Sequence, residues 1–180
     1  MGPAVDIRGL GRAELQRVAE IDRREHIDVL YEQHGTQLVV RHGDWSASAW
    51  DADGHGEHSV AARQHALERY VDTGGIAFGA LADGRLVGIG VVVPRLRPGI
   101  AQLAFLHVSR ASRATGIGSR LVEHLERSAL AAGGAEMVVS ASPSGNTVRF
   151  YLGRGFQPTA EPLPELYELE PEDVHLRKVL

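Results

Sequence analysis

A short glycine-containing run, RATGIG at residues 113–118, carries the residue types best suited to chemistry in this sequence. Gly116 and Gly118 have no Cβ, so the backbone there can approach a ligand closely. An apolar, strand-like stretch precedes the run, and an amphipathic helix follows it. The first N–H groups of a helix lack internal partners and attract anions. The run therefore predicts a site for a phosphate or a pyrophosphate.

Two common phosphate-binding motifs do not fit this run. A Rossmann dinucleotide site needs a third small residue three places after Gly118, but that residue is Leu121. A P-loop has four residues between its glycines and then Gly-Lys-Ser/Thr, whereas here a single residue separates the glycines and Ser119-Arg120 follows. Neither a Rossmann nor a P-loop site is predicted.

The composition limits the class of protein. With 180 residues, 43% of them hydrophobic, the sequence predicts one domain over residues 1–180. The net charge is −4 and no block of Lys and Arg occurs, so nucleic acid is not an expected partner. The absence of cysteine excludes disulfides, thiolate metal sites and a cysteinyl acyl intermediate. The N-terminus lacks a signal-peptide pattern and apolar runs are short, which predicts a soluble cytoplasmic protein without a membrane partner.

Hydrophobic periodicity gives an order of elements around the run. The first half is predicted as a strand at 5–8, a helix at 11–23, a long shaped loop at 26–56 that is extended at 37–41, and a helix at 58–71. The second half is predicted as strands at 76–81, 86–93 and 100–108, the helix after the glycines, a strand around 138–139, a short helix at 147–154 and a strand at 174–179.

Three features of the sequence together resemble the GNAT superfamily of acyl-CoA-dependent N-acetyltransferases, and the size of the chain is that of a small bacterial-type member. Arg113, Gly116 and Gly118 match the signature R/Q-x-x-G-x-G/A. Leu106 and Val108 match the L-x-V end of the preceding strand, and Tyr151 begins a Y-x-x-x-G-F sequence. The resemblance implies an α/β (mixed α+β) fold, with a mostly antiparallel sheet of six to seven strands and about four flanking helices. The sheet is expected to splay apart next to the strand at 100–108, which leads into the glycine run.

The resemblance also implies the reaction, which is direct transfer of an acetyl group from acetyl-CoA to a primary amine in a ternary complex. The backbone of the glycine run would hold the pyrophosphate, and the edge of the preceding strand would pair with the pantetheine arm. The family often has an asparagine seven residues before the tyrosine; Ser144 stands there, with Asn146 nearby. The expected cofactor-binding residues are Leu106, Val108, Arg113, Ala114, Thr115, Gly116, Ile117, Gly118, Ser119, Ser144 and Asn146.

Tyr151 and His107 are the catalytic candidates. A phenol is protonated at neutral pH and can donate to the leaving thiolate, and an imidazole can accept the amine proton. Packing of the tyrosine and a structural role for the histidine are the alternatives. Glu25, His26 and Tyr31 are the expected acceptor-binding residues, in the region where this fold builds its acceptor pocket; a solvated surface is the alternative.

Other groups of polar or aromatic residues lead to weaker hypotheses. His55 and His58, with nearby acidic residues, have the spacing of a polar loop more than of a zinc site, so no metal is predicted. Trp45 and Trp50 could line the acceptor site or anchor a loop. The acidic residues Glu170, Glu172 and Asp173 are expected to be a solvated hairpin.

The acceptor is not specified by the sequence: a small-molecule amine and a protein or peptide amine both fit, and a homodimer is compatible with the chain. A non-catalytic acyl-CoA sensor or regulatory module is the alternative function. A nucleotide-binding protein of another fold is a third hypothesis.

Overall fold

A seven-stranded sheet forms the centre of the molecule in the computed structural model, which describes residues 4–180. Its strands are β1 (Val5–Leu10), β4 (Ile76–Ala82), β5 (Arg85–Arg97), β6 (Ile100–Val108), β7 (Glu136–Ala141), β8 (Gln157–Pro158) and β9 (Val174–Val179). Their order is β1-β4-β5-β6-β7-β9-β8, and every pairing is antiparallel except β6 with β7. The remaining strands, β2 (Glu25–His34) and β3 (Gln37–Ala47), form a separate hairpin.

Helices cover both faces of the sheet. They are α1 (Val60–Asp72), α2 (Ile117–Ala131), α3 (Gly145–Gly153) and α4 (Pro164–Leu169), with 3₁₀ turns at Arg12–Glu20 and Arg110–Ser112. The α/β class, the mostly antiparallel sheet and the number of flanking helices confirm the expected fold. Neither the strand β8 nor the helix α4 was predicted.

The first helix is a 3₁₀ helix rather than the predicted α-helix. Its buried side chains, Leu15, Val18 and then Ile21, recur every three residues and are almost fully buried. A 3₁₀ helix has three residues per turn, so this spacing places all of them on one face. That face packs on β4, β5 and α1.

The prediction of a long loop at 26–56 is wrong for residues 26–47, whereas residues 48–56 are irregular as predicted and residues 37–41 are extended. Residues 25–34 and 37–47 form the antiparallel hairpin of β2 and β3, whose strands pair from Glu25 with Ala47 to His34 with Gln37. From His26 to Val29 polar and apolar residues alternate, and the side chains of Ile27 and Val29 are less exposed than those of His26 and Asp28, which is the pattern of a strand with one buried face. Most of β3 is exposed, so its sequence carries little such signal.

Alternate residues of β6 point to opposite faces of the sheet. Leu106 and Val108 pack with α2, whereas Phe105 packs with α1 and the 3₁₀ helix 12–20. His107 shares the face of Phe105, because its ring lies 4.8 Å from that of Phe105. The strand that precedes the glycine run therefore has one face toward α2 and another toward α1.

Candidate active site

The glycine loop, residues 113–119, has a backbone arranged to receive an anion. Ala114 and Gly116 have positive φ values of 59° and 85°, and Gly116 is the N-cap of α2. Within residues 4–180, no backbone N–H from 114 to 119 donates to a hydrogen-bond acceptor. The loop thus presents several free donors at a helix N-terminus, which fits a pyrophosphate.

The two glycines of the loop are required for different reasons. A Cβ on Gly116 would meet no atom within 4 Å, so its positive φ is what favours glycine there. A Cβ on Gly118 would lie 3.3 Å from two ring atoms of Phe150, at the contact of α2 with α3. Gly116 shapes the loop, and Gly118 lets α3 approach it.

Arg113 and Thr115 use their side chains to hold the loop in place. The Arg113 guanidinium donates to the carbonyl oxygens of Val108 at 3.1 Å and Arg23 at 3.2 Å. The Thr115 hydroxyl donates to the carbonyl oxygen of Ser112 at 2.6 Å. Because these groups are engaged within the chain, ligand binding by the loop depends on its backbone.

A gap opens between β6 and β7 beside the glycine loop. The two parallel strands pair only at Ile100, Ala101 and Gln102 of β6, after which they diverge. Residues 103–108 therefore have a free edge on the β7 side. An extended chain can add to such an edge through backbone hydrogen bonds.

The segment from Asp22 through β2 crosses the open ends of these strands. The Arg110 N–H donates to the Asp22 carbonyl at 2.9 Å near the end of β6, and the Tyr31 N–H donates to the Pro143 carbonyl at 2.8 Å just beyond β7. Farther along, the Gln33 side chain accepts from the His175 N–H of β9 at 2.8 Å. The hairpin of β2 and β3 therefore forms a cover over the gap, which the sequence did not predict.

Tyr151 lies on α3, buried in the core beside this gap. Its ring contacts Phe150 and Phe156 edge-on, with centroids 5.3 and 5.4 Å away. Burial raises the pKa of its phenol, and the nearby Asp173 carboxylate raises that pKa further. Tyr151 therefore stays protonated at neutral pH and can only donate a proton there.

Ser144 and Asn146 are both engaged at the start of α3. The buried Ser144 hydroxyl caps the helix, accepting from the Thr147 N–H at 3.4 Å. The Asn146 amide donates to the Glu25 carboxylate at 2.9 Å, and the same carboxylate lies 3.9 Å from Arg113. Glu25 thus joins β2, α3 and the glycine loop. Binding of a cofactor by Ser144 and Asn146 stays a prediction.

A groove of about 880 Å³ lies between the β2–β3 hairpin and residues 159–175. We call it the C-terminal groove; Tyr31, Glu32, Glu172 and Asp173 are among its lining residues. Glu32 is paired with Arg41, whereas Asp173 is half-buried beside Glu170. Burial, and then the Glu170 charge, raises the pKa of Asp173. The expectation of a fully solvated acidic hairpin is wrong at Asp173.

The other acceptor candidates lie apart from one another. Tyr31 lines the C-terminal groove, but His26 is exposed on the hairpin, 3.5 Å from Asp44. Of the two tryptophans, Trp45 is exposed on β3, whereas Trp50 packs against the core beneath α1. Only Tyr31 is close to the acidic residues of the groove.

His107 lies in a positively charged environment. Burial lowers its pKa to about 3, with further contributions from Arg63, Arg23 and Arg113. The imidazole is therefore neutral at pH 7 but a very weak proton acceptor, which disfavours the predicted role as general base. Its ring contacts Trp50, with centroids 5.5 Å apart.

Asp51 organises the polar loop that contains His55 and His58. Its carboxylate accepts from the N–H groups of Asp53 and Gly54. His58 lies 3.3 Å from Glu57. No group of three or more metal-ligating side chains occurs among residues 4–180.

Sequence reasoning missed Arg23 and Arg63 and gave too little weight to Asp173. Arg23 and Arg63 are 40 residues apart in the chain and match no motif. The only signal for Asp173 was its place directly before the last strand. Residues such as these are found only when the sheet and the hairpin bring distant segments together.

Comparisons with known proteins identify the family of this chain. A family model described as the acetyltransferase (GNAT) family matches residues 40–156. A curated amino-acid acetyltransferase from Ralstonia nicotianae is 32% identical over 103 residues, covering 54% of this chain and 22% of that protein. The chain therefore spans about a fifth of the length of this relative.

Solved structures share the fold at low sequence identity. A nourseothricin acetyltransferase superposes with a TM-score of 0.73 and 15% identity, covering 98% of both chains. A candidate streptothricin acetyltransferase from Bacillus anthracis, solved in complex with acetyl coenzyme A, has a TM-score of 0.71 and 16% identity, covering 98% of this chain and 99% of the other. None of the helices within residues 4–180 is both long and apolar enough to cross a membrane.

Proposed function

The chain belongs to the GNAT acetyltransferase family, and from that premise we propose that it is an N-acetyltransferase that moves an acetyl group from acetyl-CoA directly to a primary amine. The observation that carries the proposal is the combination of the free N–H groups of residues 114–119 with the gap between β6 and β7. A pyrophosphate binds at the first, and an extended pantetheine arm pairs along the second. The acetyl-CoA complex of the similar Bacillus anthracis structure supports the same donor.

The glycine loop and the edge of β6 hold the donor. Free N–H groups at the start of α2 meet the pyrophosphate, and the helix dipole adds about 0.3 to 1 kcal/mol for a charge at that end. The edge at residues 103–108 aligns the pantetheine arm, and an N–H between Leu106 and Val108 stabilises the oxygen that becomes negative during transfer. Backbone geometry accounts for both tasks.

The transfer step exchanges a C–S bond for a C–N bond. The neutral amine attacks the thioester carbonyl carbon, the thiolate leaves, and the new amide nitrogen loses a proton. Tyr151 donates its phenolic proton to the thiolate sulfur. Asp173 accepts the proton that the amine loses, because burial and Glu170 raise the pKa of its carboxyl and make it a better base. A proton then returns from Asp173 to the Tyr151 phenolate, so both groups are restored and the net proton transfer is from the amine to the thiol. The chain contains no cysteine that could carry the acetyl group as a thioester.

Acceptor entry through the C-terminal groove is supported by its charges. Glu172 and Asp173 line it together with Tyr31, and Asp173 acts electrostatically on Tyr151. Carboxylates at this entrance attract an ammonium group. Low-molecular-weight amines are the first acceptors to test, since the similar proteins are named for an amino acid, nourseothricin and streptothricin.

The test is release of free thiol from acetyl-CoA across a panel of amino acids, aminoglycosides, streptothricins and a peptide with a free N-terminus. We expect thiol release and a matching acetylated amine with at least one class. A chain that binds acetyl-CoA but releases no thiol with any amine would instead be a sensor, for which the comparisons offer no support. Stabilisation by ATP or NAD but not by CoA in a thermal shift would reject the donor assignment.

A further inference from the structure

A cluster of buried, unpaired donors lies on the face of β6 opposite α2. Within residues 4–180, five side-chain nitrogen atoms are buried without a hydrogen-bond partner. Four of them belong to this cluster: Arg23 Nε, Arg23 Nη1, Arg63 Nε and Trp50 Nε1. The Arg23 and Arg63 guanidinium carbons lie 4.7 and 5.4 Å from the centre of the Trp50 ring. His107 completes the group through its edge contact with Trp50. We call Arg23, Arg63, Trp50 and His107 the arginine cluster.

The cluster lacks the anions that would balance its charge. No salt bridge joins Arg23 or Arg63 to a carboxylate in the described part of the chain, and the one polar contact of the Arg63 side chain is a 3.4 Å bond to the Glu57 carbonyl. Glu25 and Glu57 act on Arg23 only from a distance. Burial disfavours the charge of Arg23, and repulsion from the Arg63 guanidinium lowers the pKa of Arg23 further. Leaving buried donors unpaired and like charges close together costs free energy of folding, and such arrangements are typical of binding sites.

The cluster and the start of α2 lie on opposite faces of β6. His107 and Phe105 face α1, and Arg63 lies over the Phe105 ring at 5.4 Å. Leu106, Val108 and the start of α2 lie on the other face of the sheet. A ligand on the cluster would therefore approach β6 from the side opposite the pyrophosphate, beside the strand edge that aligns the donor.

We propose that the arginine cluster binds a carboxylate of the acceptor, so that the acceptor is an amine that also carries an acid group, as amino acids do. The inference rests on the proposed acetyl transfer for the identity of the ligand. A guanidinium matches a planar carboxylate through two parallel N–H bonds. Neutral His107 and the Trp50 indole supply further donors without adding charge. Binding supplies the missing anion and fixes the acceptor beside β6.

The direct test uses Trp50 as the reporter. The chain has two tryptophans, so Trp45→Phe leaves Trp50 alone. In that background, with CoA bound, L-amino acids are titrated in parallel with their carboxamides, which keep the amine and lose the acid. We expect saturable changes in Trp50 fluorescence with at least one amino acid and none with its carboxamide.

The matched variants are Arg63→Gln and Arg69→Gln, both on α1. Arg69 is exposed and makes no side-chain hydrogen bond within residues 4–180. Arg63→Gln should weaken carboxylate binding about tenfold to 100-fold, the effect of losing one charge-assisted hydrogen bond, whereas Arg69→Gln should leave it unchanged. The melting temperature of Arg63→Gln should not fall, because the change relieves repulsion with Arg23.

Equal binding of acids and carboxamides, unchanged binding in Arg63→Gln, or a response to inorganic phosphate alone would each overturn the proposal. If Arg63→Gln does not fold, Arg23→Gln carries the same expectation, and the acid and carboxamide comparison needs no variant. Failure of the proposed acetyl transfer can be distinguished from failure of the proposed carboxylate site. Carboxylate binding without thiol release would reject transfer and keep the site, whereas acetylation of amines regardless of an acid group would reject the site and keep transfer.

Discussion

The glycine loop and the proposed acceptor site beside the β6–β7 gap, here called the acceptor side, are built in opposite ways. The loop is one continuous segment, residues 113–119, and offers backbone N–H groups while its own side chains stabilise its shape. The acceptor side is assembled from side chains on α1, β6 and α3 and on the segments just before β2 and β9, including Arg23, Arg63, Tyr151 and Asp173. A common donor can be held by a fixed backbone, whereas a particular acceptor requires particular side chains.

Charge also differs between the two ends of the acceptor side. The arginine cluster near the end of β6 is positive and unpaired, whereas Glu172 and Asp173 make the C-terminal groove acidic. The segment from Asp22 through β2 runs from one end to the other, with Asp22 bonded to Arg110 and Gln33 bonded to His175. A carboxylate and an ammonium group would therefore be attracted to different ends of the acceptor side.

The largest effect on catalysis is expected on the acceptor side, from a substitution of Tyr151. Tyr151→Phe should lower kcat by about 10²- to 10⁴-fold, the range for loss of a general acid, and leave the affinity for CoA unchanged. Steady-state kinetics and CoA titration measure the two quantities. Phe keeps the ring contacts with Phe150 and Phe156, so the melting temperature should stay close to that of the unsubstituted protein. Unchanged kcat would remove Tyr151 from the mechanism.

Asp173→Asn tests the proposed proton acceptor. A base must be deprotonated to act, so kcat/KM should fall as the pH drops through the raised pKa of Asp173. The variant should lose this acid limb and about 10²-fold of activity at pH 7. Its stability at pH 7 should not decrease, because Asn removes a buried charge. Retention of the same acid limb in Asp173→Asn would assign it to another group.

Gly116→Ala tests the loop and should have a smaller effect. Alanine at a φ of 85° costs about 1 to 2 kcal/mol, so CoA affinity should fall by about 5- to 30-fold if the loop moves to relieve the strain. Gly99→Ala is the control: its φ is 74°, its Cβ would also meet open space, and it lies at the opposite end of β6. Both variants should lose stability, but only Gly116→Ala should lose CoA affinity. Equal CoA affinity in the two variants would contradict the proposed role of the loop.

Much of the fold could be predicted because its signals are local. The apolar run of β6, the Asp-Gly turn at Asp83 and Gly84, and the stripe of α2 each act within a few residues. Predictions failed where a neighbour decides the structure. The 3₁₀ helix is set by packing on β4, β5 and α1, and the β2–β3 hairpin has an exposed strand with almost no periodic pattern.

The glycine loop, the strand that leads into it and the tyrosine of α3 were predictable, because chain connectivity alone sets the spacing of Arg113, Gly116, Gly118 and the Tyr151 motif. The side chains that surround the gap were not predictable, because contacts between distant segments bring them together. The tertiary structure brought Arg23 and Arg63 together over Trp50, made His107 a weak base and partly buried Asp173. The physical reason is that burial and nearby charge set the chemistry of a side chain, and both come from segments far apart in the chain.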